Sequence, residues 1–188
     1  MKLPLTGSQT VGPYFAIGME DLCSESIPSA ADGERYTVEG FLLDGQRNPI
    51  PDGLLEVWQA DTNGEYGCQP ASSPAGAAGF ARVKTKADGS FRFSLIKPGR
   101  VFYDTERLQA PHLLVLVYMR GLLRNPVTRL YFPNEPSNLT DPVLALVPPE
   151  RRPTLIAEAT GTQNLLHWDI VMRQQDMQDN RETVFFAW

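Results

Sequence analysis

A chain of 188 residues, 42% hydrophobic and 21% charged, is long enough to bury one core and short for two ordinary domains, so one domain over residues 1–188 is expected. Its 15 glycines and 16 prolines break it into short pieces, which argues against long helices, coiled coils and helical repeats. A formal net charge of −5 removes the overall attraction to phosphate on which nonspecific nucleic-acid binding depends, and the longest unbroken apolar run, residues 113–119, is far below the ~20 residues of a membrane span.

The first strand signal is 36–43, closed by Asp44-Gly45; the second, 54–60, follows Pro51-Asp52-Gly53 and stops at Thr62-Asn63-Gly64. Residues 67–79, dominated by alanine, serine, proline and glycine, predict a surface loop. After Asp88-Gly89, Phe91, Phe93 and Leu95 alternate with Arg92 and Ser94, the period of a half-buried strand. Residues 112–119 are apolar on both faces, which predicts a central strand covered on its second side by a loop, a helix or another subunit, with 127–132 paired to it. Proline and turn residues mark 133–153 as a second surface loop, and 150–159 has room for a helical turn that Pro153 keeps short. Leu166, Trp168, Ile170 and Met172 share one strand face and belong in the core; His167, Asp169, Val171 and Arg173 share the other. A last strand, 183–186, runs into an apolar chain end that is expected to be docked. The pattern is that of an all-β, single-domain β-sandwich with long loops and little helix.

The start of the chain shows no apolar stretch of ~7–15 residues, so a cytoplasmic location is expected, where Cys23 and Cys68 stay thiols and default to isolated small hydrophobes. Only two histidines, His112 and His167, limit imidazole metal sites. The best local arrangement is His167-Trp168-Asp169 with His112 as a second histidine; the competing reading, the solvated face of an amphipathic strand, is preferred. No nucleophile elbow, dinucleotide fingerprint or phosphate loop is present, and a carboxylate pair such as Glu56 and Asp61 is indistinguishable by spacing from surface charge.

Several segments in order carry a resemblance. The opening Thr6-Gly7-Ser8-Gln9-Thr10-Val11-Gly12-Pro13-Tyr14-Phe15, the strand and turn Glu56-Val57-Trp58-Gln59-Ala60-Asp61-Thr62-Asn63-Gly64-Glu65-Tyr66, then Lys97-Pro98-Gly99, Gln109-Ala110-Pro111-His112, Arg120-Gly121, Thr128-Arg129-Leu130-Tyr131-Phe132, Asp141-Pro142-Val143-Leu144 and Glu182-Thr183-Val184-Phe185-Phe186 together resemble the intradiol ring-cleaving dioxygenases, over nearly the whole chain. The likeness is nearest to the iron-free α subunit of two-subunit members.

The resemblance implies a β-sandwich and a dioxygenase that opens the ring of 3,4-dihydroxybenzoate between its hydroxyl-bearing carbons, O2 supplying both inserted oxygens and 3-carboxy-cis,cis-muconate being the product. In iron-bearing subunits Fe(III) is held by two tyrosinates and a His-x-His pair. Here Tyr66 matches the first tyrosine and His112 the first histidine, but the second histidine is Leu114; the second tyrosine falls near Val101, with Tyr103 the nearest tyrosine. The arginine three positions before the family's first histidine is Gln109. The implied reading is a chain with no catalytic group and no metal of its own, Tyr66 and His112 being vestigial, and an iron-binding β subunit as partner in a higher oligomer of αβ units. Its contribution would be pocket wall: Thr10, Gly12, Pro13 and Tyr14 in an extended N-terminal arm (about 1–18), and Arg120 after the central strand. Two other readings stay open: a self-sufficient iron dioxygenase using Tyr66, Tyr103, His112 and a fourth ligand, and a β-sandwich binding module without chemistry.

Overall fold

The alternation in the sequence is realised as two packed sheets. The structure, a computed structural model, describes residues 7–29, 32–67, 79–172 and 182–187, with only the backbone of Pro13 described. Cys68, Arg173, Trp188 and nearly all of the 67–79 loop lie outside the described residues.

In chain order the strands are β1 (Arg35–Leu43), β2 (Leu54–Gln59), β3 (Phe80–Lys84), β4 (Ser90–Ile96), β5 (His112–Tyr118), β6 (Val127–Tyr131), β7 (Glu158–Ala159), β8 (Leu165–His167) and β9 (Ile170–Val171). One sheet runs β4-β1-β8-β7, with β9 also on β1; the other runs β3-β2-β5-β6 and is antiparallel throughout. Val38, Leu42, Phe91, Phe93 and Leu95 from the first sheet meet Leu55, Val57, Val83, Leu113, Val115 and Val117 from the second, so every second residue of each strand enters the core. Each such aliphatic or aromatic side chain contributes about 1.5–3 kcal/mol by leaving water.

The expected strand after residue 165 is interrupted. β8 and β9 keep one register along β1, with Glu39 opposite His167 and Leu42 opposite Ile170, but between them the Asp169 carboxylate rather than a backbone carbonyl accepts the Phe41 N–H at 2.9 Å. Leu166, Trp168, Ile170 and Met172 are buried as expected, and so is Val171, which the alternation had placed outward. Residues 183–186 do not form a strand. Phe186 makes one isolated bridge to Val127, and the Thr183 N–H donates to the Val171 carbonyl.

Three further departures bear on the site. β3 went unread because its five residues adjoin the alanine- and glycine-rich loop. The arm is not extended throughout: Gly12 is extended (φ −85°, ψ 176°), but a short helix α1 (Pro13–Gly18) starts at the proline, whose fixed φ suits a first helical position. The 133–153 segment is not a plain surface loop. It carries 3-10 turns at Pro136–Thr140 and Leu144–Leu146, and Leu144, Val147 and Leu155 pack with Ala110 and Tyr131 in a second apolar cluster. A third 3-10 turn, Arg152–Leu155, fits the short helical turn expected there. Among the described residues no helix is long and apolar enough to cross a membrane.

Candidate functional site

Strand β5 organises most of the family-matched residues. Its inward residues, Leu113, Val115 and Val117, fill the core, while His112, Leu114, Leu116 and Tyr118 face away from it. Among the described residues the second side is covered at its two ends, and by different parts of the chain.

At the N-terminal end of β5 lie the two family-matched positions, His112 and, within reach of the same Arg129 charge, Tyr66. His112 is buried; its Nδ1 lies 2.8 Å from the Ala110 carbonyl and its ring faces that of Tyr131. The same Ala110 gives its N–H to Asp141 Oδ2 at 2.7 Å, and Asp141 Oδ1 accepts from Val143 N, Leu144 N and the Tyr131 hydroxyl. Directly opposite Leu114, in the place of a cross-strand neighbour, stands Arg129. It is only 5% exposed, and its Nη1 donates to Gln109 Oε1 at 2.7 Å and to the Tyr131 hydroxyl at 3.2 Å.

This guanidinium acts electrostatically on both family-matched positions. Burial lowers the His112 value to about 4, with the Arg129 charge adding to the effect, while burial raises the Tyr66 phenol and Arg129 opposes that rise. Imidazole and phenol are therefore neutral at neutral pH. Ferric iron does not fit these residues: an aliphatic side chain occupies the third position, a fixed cation stands beside it, and no cluster of three or more His, Cys, Asp or Glu able to hold a metal occurs among the described residues. Tyr103 is turned onto its own loop, under the Arg107 guanidinium, 4.7 Å from its ring centre.

The lowered His112 value has a testable sign. The unfolded chain takes up a proton on this residue near pH 6.5 and the folded chain only near 4, so the contribution to stability is complete above about 6.5 and is lost as pH falls towards 4. Urea midpoints measured from pH 7 to 4.5 are expected to fall further for the native chain than for His112→Gln. Equal slopes would assign the acid sensitivity to other groups.

The predicted wall residues assemble at the other end of β5. Gly121 N–H donates to Thr10 Oγ1 at 2.8 Å, and the Phe15 ring stacks on Tyr118 at 5.3 Å, so the arm is fastened to the turn that carries Arg120. Gly12 follows with no described residue within 4 Å of where a Cβ would lie, and Tyr14 is 81% exposed. Arg120 Nε lies 2.9 Å from Asp52 Oδ2. The structure thus brings Thr10, Gly12, Tyr14 and Arg120 to one end, with Pro13 in the same segment, and leaves Tyr66 and His112 at the other. Six residue steps along β5 separate His112 from Tyr118, about 20 Å at the rise of a strand.

The remaining candidates are structural. His167 Nε2 and Asp169 Oδ1 pair at 3.0 Å on the opposite sheet, away from His112, and Asp169 is occupied with the Phe41 N–H. Glu56 pairs with Arg82 and accepts from the Tyr118 hydroxyl; Asp61 caps its own turn through the Asn63 and Glu65 N–H groups. Sequence reasoning gave no role to Arg129, Asp141 or Asp52. Arg129 shares the outward side of its sheet with Leu114, where a charge is ordinary, so nothing in its position along β6 marks it as buried, and nothing local in Pro51-Asp52-Gly53 points to a residue 68 positions away.

The family model described as Dioxygenase matches residues 12–174, and the chain belongs to the intradiol ring-cleavage dioxygenase family, an iron-dependent one. It is similar to the protocatechuate 3,4-dioxygenase alpha chain of Burkholderia cepacia, with 42% identity over 98% of both chains. The beta chain of the same organism's enzyme is 29% identical over 92% of this chain and 77% of its own length. Among solved structures, the dioxygenase domain of a carbohydrate-binding fusion protein from Streptomyces sp. SirexAA-E matches with a TM-score of 0.59 and 30% identity, covering 81% of this chain and 88% of its own.

Proposed function

We propose that this chain is the iron-free α subunit of a protocatechuate 3,4-dioxygenase. It contributes wall, through Thr10, Gly12, Pro13, Tyr14 and Arg120, to an active site whose Fe(III) is carried by a β subunit, where 3,4-dihydroxybenzoate is cleaved with O2 to 3-carboxy-cis,cis-muconate. The observation that carries this reading is the separation along β5: the arm and Arg120 are too far from Tyr66 and His112 to serve a site there, so what they wall must be completed from outside the chain. Half-buried Phe80, Leu114 and Leu116 and the exposed Trp58 leave an apolar strip on the outer face of the second sheet, which suits a tightly apposed subunit.

Within that site the chain's own residues bind and orient. Gly12 lets backbone approach a flat ring, the Pro13 backbone sets the direction of the arm, and the Arg120 guanidinium suits the substrate's carboxylate. The test is iron content and visible absorption of the chain alone and after co-expression with the β subunit. A colourless lone chain and a coloured, active complex are expected, because ferric tyrosinate is coloured. A coloured lone chain that cleaves substrate would overturn the reading.

A second expectation follows from the empty surroundings of Gly12. Gly12→Val meets nothing among the described residues, so the melting temperature of the chain alone should stay within about 1 °C. In the assembled enzyme its methyl groups intrude on the pocket and kcat/KM should drop roughly tenfold, the scale of a steric misfit in a closed site. Unchanged turnover would remove the arm from the wall.

A further inference from the structure

Asp52 lies in the turn between β1 and β2, with its side chain 16% exposed. Both of its carboxylate oxygens are buried, and neither accepts a hydrogen bond from the described residues. A carboxylate withdrawn from water without N–H partners is unfavourable unless a cation stands close. Arg120 Nε, 2.9 Å from Oδ2, is that cation, close to the oxygen though not aligned as a hydrogen bond.

The Arg120 side chain is otherwise open, at 61% exposure, and no hydrogen bond from its Nη groups occurs among the described residues. The guanidinium is therefore held by one edge while its two-pronged end stays free, the arrangement that receives a carboxylate through two parallel N–H donors. The backbone of the turn is fixed as well: Gly121 has φ +89°, a conformation glycine adopts without strain, and its N–H is tied to Thr10.

We propose that Asp52 is the positioning residue for Arg120, holding its Nε so that the Nη pair faces the carboxylate of the aromatic substrate at the site completed by the β subunit. This rests on the function proposed above. Asp52 itself touches no substrate; it acts through the arginine.

The test uses the assembled αβ enzyme and two substrates, 3,4-dihydroxybenzoate and the uncharged 4-methylcatechol. Asp52→Asn should raise KM for the carboxylate substrate roughly five- to tenfold, as expected when a charge-assisted pair loses its orientation. Its kcat, iron content and assembly should be unchanged, and so should KM for 4-methylcatechol. Arg120→Ala should give an equal or larger rise, and adding Asp52→Asn to it should change nothing more. Arg120→Lys keeps the charge but not the fork, should raise KM similarly, and serves if Asp52→Asn fails to fold. A rise with Arg120→Ala but none with Asp52→Asn overturns the role of Asp52 alone. An effect of Asp52→Asn that persists without Arg120, or extends equally to 4-methylcatechol, overturns it too, as does wild-type KM in Arg120→Lys. No effect of Arg120→Ala on either substrate takes Arg120 out of the wall and the role of Asp52 with it.

Discussion

Asp141→Ala is expected to destabilise the folded chain by about 4 kcal/mol or more, read as a large fall in the urea midpoint. The residue is fully buried and its two oxygens accept from the Ala110, Val143 and Leu144 N–H groups and from the Tyr131 hydroxyl. Truncation leaves four donors without an acceptor in a place water does not reach, each costing on the order of 1–3 kcal/mol, and relaxation recovers only part of that sum. The effect reaches His112 and Arg129, because Ala110 is also the partner of His112 and Tyr131 is the partner of Arg129. Asp141→Asn keeps one acceptor oxygen and should lose less. A midpoint for Asp141→Ala within 1 kcal/mol of wild type would show that the 133–153 segment is not held by this carboxylate.

Gly40→Ala should cost roughly 3 kcal/mol or more and lower the melting temperature by ~10 °C in a chain of this size. Gly40 lies on β1 where β8 and β9 part, and a Cβ there would overlap the Trp168 carbonyl oxygen. That obstacle is backbone held by the Trp168 N–H to the Glu39 carbonyl on one side and the Asp169 bond to Phe41 on the other, so no side chain can swing aside. Gly18→Ala, with open space around it in α1, is the matched control and should be neutral or slightly stabilising. Equal melting temperatures for the two variants would mean that β1 and the 165–171 strand pair are separable there.

These two positions also show what the sequence could and could not convey. Short alternating or apolar runs closed by turn residues located β1, β2, β4, β5 and β6 to within a residue or two, because a sandwich strand is short and buries at least one face. Asp169 broke the expected strand without disturbing its alternation, so the break left no trace in the pattern. Gly12-Pro13 was legible as a constraint on the backbone, but a stiff extended arm and a helix start share that signature. The family motifs singled out Tyr66, His112, Leu114 and Arg120 as positions, yet the spacing of positions in a chain says nothing about which end of a strand each reaches. Asp52 acquires meaning only through Arg120, and the burial of Arg129 only through Gln109 and Tyr131, contacts that the alternation along a strand does not record.

The guanidinium of Arg129 has one more consequence. It is bonded into the chain, cannot dissociate and cannot change valence, so the pocket it occupies is indifferent to the supply and oxidation state of any ion around it. It also sets the terms for any engineered metal site: a histidine introduced at Leu114 alone would stand beside a charge that repels the cation it is meant to hold, and a neutral residue at Arg129 would have to accompany it.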